Sequence, residues 1–186
     1  MSKALTDMSL EELWQLFPIV LTKHRDCWAD WYREEAAELE AVLLPFHPHA
    51  IHHIGSTAID GIWAKPIIDI LVELPDDAAI ESAKAALEAQ GYLAMSERDL
   101  NKGYTLQGFA ERVFHIHLRV AGDTDELYFR DYLNAYPEVA KEYERLKLSL
   151  WKEYEHDRDG YTAAKTVFVN KYMELAKAEL TQGSAA

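Results

Sequence analysis

The run Ile67-Ile68-Asp69-Ile70-Leu71-Val72 sets one carboxylate inside an otherwise aliphatic segment. Such a run reads as a buried strand, and a carboxylate there is costly to desolvate unless a cation, a hydrogen-bond donor or solvent stands beside it. Asp69 therefore demands a partner. Upstream, Gly55-Ser56-Thr57 follows a strand-like stretch from Ala50 to Ile54. Glycine allows close backbone approach, and exposed N–H groups with two hydroxyls suit phosphate oxygens. A Gly-Ser turn ahead of a strand-borne acid is a layout for phosphate and metal, although the same pair also builds ordinary turns.

The surrounding pattern predicts an α+β fold with a mixed sheet flanked by helices. Ser9-Leu10-Glu11-Glu12 opens a short helix with a capping box, ended by Pro18 before an expected strand at 19–22. Asp26 is expected to cap a long helix whose inner stripe is Trp28, Tyr32, Ala36, Leu39 and Leu43, with Glu34, Glu35, Glu38 and Glu40 facing outward. After the Asp69 strand come a helix at 76–90 closed by Gly91, then strands at 92–96, 103–107 and 113–120. Helices follow at about 124–135 and from Pro137, whose stripe is Val139, Tyr143, Leu146, Leu150 and Tyr154. Asp159-Gly160 reads as a break before a last helix at 161–180 and a frayed Gly-Ser-Ala-Ala tail. One domain over 1–186 is expected, its sheet-containing part at about 19–120 and its C-terminal helices at about 124–180.

Composition narrows the partners. The 186 residues carry 19 Lys and Arg against 32 Asp and Glu, a formal net charge of −13, which disfavours broad electrostatic binding of nucleic acid or an anionic membrane. A small anion needs only a local positive pocket. The single Cys27 forms no internal disulfide, and neither a signal-peptide core nor a membrane-length apolar run is present, so a cytoplasmic protein is expected.

Alternation along Val113-Phe114-His115-Ile116-His117-Leu118-Arg119-Val120 puts His115, His117 and Arg119 on one side. Paired beside the Asp69 strand, both imidazoles either face the same cleft, where they bind metal or exchange protons, or cover a solvated sheet face. His52 and His53 point to opposite faces, and His53, sharing the parity of Gly55, is expected in the cleft. Lys65, at the start of the Asp69 strand, reaches a phosphate or snorkels. Lys165 stands in the apolar stripe Tyr161, Lys165, Phe168, Tyr172 and Leu175, where it meets a bound anion or snorkels. Arg130 borders the cleft or pairs with Asp131. His156-Asp157 matches a short metal-phosphohydrolase signature, too brief to weigh.

Together the segments Leu16-Phe17-Pro18-Ile19, His53-Ile54-Gly55-Ser56-Thr57-Ala58, Ala64-Lys65-Pro66-Ile67-Ile68-Asp69, His115-Ile116-His117, Phe129-Arg130-Asp131-Tyr132-Leu133 and Tyr161-Thr162-Ala163-Ala164-Lys165 resemble the GrpB-like family, which is similar to the DNA polymerase β-type nucleotidyltransferases. The resemblance implies that superfamily's mixed sheet followed by a helical C-terminal part. It implies a nucleoside triphosphate, or another phosphorylated small molecule, held by Gly55, Ser56, Thr57, Lys65, Arg130 and Lys165. It also implies a divalent metal, magnesium, manganese or a softer ion, at Asp69, His115 and His117. Nucleotidyl transfer to a small acceptor is the activity implied. Leu71 stands where many active nucleotidyltransferases carry a second acid, which keeps a non-catalytic ligand-binding module and, behind it, a metal-dependent phosphohydrolase as alternatives.

Overall fold

Period-two alternation decides which side of the sheet becomes core. The computed structural model describes residues 3–183, and in it Ile68, Ile70, Val72 and Leu74 of one strand and Phe114, Ile116 and Leu118 of its neighbour are buried in a single apolar cluster. The opposite side carries Asp69 and Glu73 of the first strand and His115, His117 and Arg119 of the second, with Leu71 buried among them.

The elements, in chain order, are α1 (Leu10–Leu16), α2 (Cys27–Leu43), β1 (Ala50–Ile54), β2 (Ile68–Leu74), α3 (Asp77–Ala89), β3 (Leu93–Ala94), β4 (Asp99–Thr105), β5 (Gly108–Val120), α4 (Asp125–Ala135), α5 (Pro137–Trp151) and α6 (Arg158–Gly183). The sheet is mixed, in the order β1-β2-β5-β4-β3, with β2 and β5 parallel and the other neighbours antiparallel. Helices α2 and α3 pack on one face through Trp28, Leu39, Leu43, Ile80, Ala83 and Leu87. Helices α4, α5 and α6 build a second core around Phe129, Leu133, Tyr143 and Tyr172, joined by Ile59 and Ile62 from the β1–β2 connection. Among the described residues no helix is long and apolar enough to cross a membrane.

Local signals explain the boundaries. Ser9 caps α1 with a complete capping box, Asp76 accepts the Ala79 N–H at the start of α3, and Gly91 takes a φ of +90° just beyond its end. Several expectations are corrected. Asp26 precedes α2 without making a side-chain cap bond. The expected strand at 19–22 reduces to one bridge, Thr22 with Ala64, because Ile19 gives its N–H to Glu155 O beyond α5. Asp159-Gly160 lies inside the first turn of α6, where the Asp157 carboxylate accepts the Gly160 N–H at 2.8 Å. The strand expected at 103–107 begins earlier, at Asp99. Residues 184–186 of the expected frayed tail lie outside the described residues, and Gly183 still belongs to α6.

Glu35 is the plainest departure. It falls four residues after Trp31 and four before Leu39, so helical geometry turns it inward, and it is buried at 3% exposure. There the Tyr92 hydroxyl donates to it, and Lys102 Nζ reaches both its oxygens at 2.7 and 3.0 Å. A buried acid with a cation and a hydroxyl is a satisfied structural group.

Candidate functional site

The registers that build the core also gather the polar face. Asp69 lies opposite His115 in the β2–β5 pairing, and Leu71 opposite His117. Asp69 Oδ1 stands 3.2 Å from His115 Nδ1 and 3.2 Å from His117 Nε2. One ligand atom from each of the three residues falls within 4.8 Å of the others, close enough to hold one metal ion.

Each imidazole is oriented from behind. His117 Nδ1 meets Asp99 Oδ1 at 2.9 Å. His115 Nε2 meets the Tyr104 hydroxyl at 2.7 Å, which in turn accepts from Arg158 at 3.1 Å. Outer partners of this kind fix the tautomer and aim of metal-binding histidines. Mixed nitrogen and oxygen donors suit zinc or manganese better than magnesium, which prefers oxygen.

The same contacts set the charge states. Burial pushes the Asp69 carboxyl up, but hydrogen bonds from His115 and His117 outweigh it and hold Asp69 well below the usual range. Burial opposes protonation of His117, yet Asp69 and Asp99 raise it to about 9. His115 goes the other way, because burial outweighs its bond to Asp69 and lowers it.

Beside this cluster opens a cavity of about 360 Å³ between the sheet and helices α5 and α6. Gly55 and Ser56 form one wall, and Lys65, Lys147 and Lys165 form another. Gly55 has a φ of +71°, and a Cβ there would collide with Asp69 Oδ2, so the bare glycine brings the turn against the acid. Burial lowers Lys65 and Lys147 to about 7 and Lys165 to about 8. The Lys165 ammonium stands 4.2 Å from the centre of the Tyr161 ring and that of Lys65 5.9 Å. The Tyr161 hydroxyl is buried without a hydrogen-bond partner. Three lysines gathered around one cavity of a chain with net charge −13 are a local concentration of groups that an anion would hold in the protonated form.

Of the candidates named from sequence, Gly55, Ser56, Lys65, Asp69, His115, His117 and Lys165 line this one cavity. Thr57 and Arg130 do not. Thr57 is buried with Oγ1 against His53 Nε2 at 2.9 Å, and Arg130 donates to His53 O at 2.9 Å while pairing with Asp131. His53 is corrected: it pairs with Ile70, which places it on the core face, stacked on Tyr32. His52 shares the Asp69 face but is taken by Glu73 at 2.7 Å. His156 and Asp157 are structural, the first bonded to Trp14 O and the second capping α6.

Sequence reasoning missed Asp99, Tyr104, Lys147 and Arg158. The alternation Asp99-Leu100-Asn101, with Leu100 fully buried, was the available signal for Asp99. Lys147 follows Tyr143 by one helical turn on the buried side of α5 and is only 2% exposed, donating to Trp63 O.

A mixed sheet bearing an acid and two histidines, roofed by helices that supply lysines, defines an α+β protein with a polar cleft. Residues 18–175 match the family described as GrpB protein. The chain belongs to that family. It is 33% identical over 165 residues to the glutamate-rich protein GrpB of Alkalihalophilus pseudofirmus, covering 83% of this chain and 94% of that one. It is also 33% identical over 175 residues to the UPF0157 protein YqkA of Bacillus subtilis, covering 90% of this chain but spanning only 51% of that relative's length. The crystal structure of conserved protein GrpB from Enterococcus faecalis superimposes with a TM-score of 0.75 at 29% identity, covering 87% of this chain and 99% of that one.

Proposed function

We propose that the cleft binds the phosphates of a nucleoside triphosphate and that the protein transfers the nucleotidyl group to a small acceptor. One observation carries this reading: the Gly55-Ser56 turn, three lysines and the Asp69, His115 and His117 cluster all face a single cavity. The sequence resemblance to polymerase β-type nucleotidyltransferases supports it.

The acceptor oxygen or nitrogen attacks the α-phosphorus. One bond forms to that atom as the bond to the bridging oxygen breaks, pyrophosphate leaves, and the acceptor's proton passes to solvent. Asp69, His115 and His117 fit a divalent cation, since their donor atoms converge and both rings are held from behind. Such an ion, when bound, neutralises phosphate charge and stabilises the leaving pyrophosphate. The lysines bind and orient the phosphate chain, and Gly55 lets it approach the acid.

Leu71 favours a second reading, a ligand-binding module without turnover. It occupies the place of a second acid and is wholly buried. Incubating the full chain with each common nucleoside triphosphate, manganese or magnesium, and a panel of alcohols and amines separates the two. Metal-dependent pyrophosphate release supports transfer; saturable triphosphate binding with no release supports the module.

A further inference from the structure

A second cavity, of about 510 Å³, lies on the other side of the histidine pair, and His115 and His117 line both spaces. Its size falls within the range of about 300–1,000 Å³ usual for small-molecule sites. Leu13 and Trp14 of α1, with Phe17 after it, wall it on one side, and Leu93 of β3 helps to line it from the sheet edge. Residues before 18 lie outside the stretch that matches the family, so this wall is contributed by a part of the chain the family match does not include.

Asn101 distinguishes the cavity from a plain apolar groove. It lines the space, is only 6% exposed, and its amide makes no hydrogen bond with any described residue. An amide offers two donors and an acceptor, and those of Asn101 are open to the cavity and free to meet a ligand. Register fixes where it faces, because Asn101 lies opposite His115 and Asp99 opposite His117 in the β4–β5 pairing. A ligand group bonded to Asn101 therefore sits beside the imidazoles.

Charge narrows the ligand further. The carboxylates of Asp99 and Asp159 line this cavity and no lysine does, whereas three lysines stand with Asp69 and Glu126 in its neighbour. Two positive groups also line it, the Arg158 guanidinium, which donates to the Tyr104 hydroxyl, and His117, which is paired with Asp99. With two carboxylates against these two cations the wall has no positive excess, so it offers an anion no net attraction and suits a neutral group or an amine.

We infer that this cavity takes the acceptor, a small molecule with an apolar body that presents a hydroxyl or an amine to Asn101. Its role as acceptor rests on the reading of the lysine cavity as the triphosphate site. The two substrates would then approach the histidine pair from opposite sides, and α1 would select the acceptor.

Calorimetric titration of the full chain with 2-phenylethanol, 2-phenylethylamine and 2-phenylacetate tests this, since the three share a ring and differ in end group. The alcohol or the amine binds saturably, and the carboxylate binds about tenfold more weakly or not at all. Asn101→Leu and Trp14→Ala each weaken the bound probe by about tenfold, while manganese-dependent pyrophosphate binding is unchanged in both. Trp14 is partly exposed, so its variant reports even if the Asn101 variant misfolds. No binding by any probe, equal binding by all three, or unaltered binding in both variants overturns the inference, the last showing that water alone satisfies Asn101. Probe binding with no pyrophosphate binding to the wild type supports the cavity as a ligand site and instead removes the triphosphate reading.

Discussion

Asp99 on β4 and His117 on β5 face each other in register and join Oδ1 to Nδ1 at 2.9 Å, while Nε2 of the same ring reaches Asp69 at 3.2 Å. One imidazolium thus bridges two carboxylates on neighbouring strands. Its folded pKa, about 9, lies above the ordinary 6.5, so the stabilisation is fully present below pH 6.5 and is lost as pH rises through about 9.

Asp99→Asn removes one of those carboxylates. In metal-free protein the NMR titration of His117 shifts down toward its ordinary value, and urea unfolding at pH 6 shows a loss of about 1.5–3 kcal/mol, the range for a hydrogen bond to a charged group. The difference between variant and wild type shrinks as pH approaches 9. An unchanged His117 titration would show that Asp99 does not act on the ring.

Lys147 gives the opposite slope. Burial lowers it from 10.5 to about 7, so between those values the unfolded chain holds the proton more readily and stability rises with pH. In Lys147→Met that rise is smaller, measured by the same unfolding series against wild type. Inorganic triphosphate binds the variant about tenfold more weakly at pH 6.5 by calorimetry. Equal affinity would remove Lys147 from the anion site.

Leu71→Asp tests whether the missing second acid is merely absent or is excluded by packing. Leu71 is fully buried although it lies on the Asp69 side of β2. A carboxylate there has no solvent, so the variant loses about 3–5 kcal/mol by thermal denaturation. A variant as stable as wild type would mean that the site admits a second acid.

Much of this was legible beforehand. The strands carrying Asp69 and His115-x-His117 show period two, and parity puts the three residues on one face once the two strands are neighbours, which is how β2 and β5 pair. The GrpB resemblance also held, through the match over residues 18–175. His53 was misplaced because parity continued through Gly55 ignores the turn, where a φ of +71° breaks the alternation. Glu35 and Lys147 were missed because charged residues read as solvent-facing, yet helical phase places both inside. Asp99 was lost with the start of β4, since polar residues between turns weaken the strand signal.

The most direct test of the cleft is calorimetric titration of ATP with manganese into wild type and Asp69→Asn, whose fold is checked by circular dichroism. The account predicts ATP binding that requires manganese in the wild type and weakens at least about tenfold in the variant. Equal binding in both, or binding in the wild type that manganese does not affect, would contradict it.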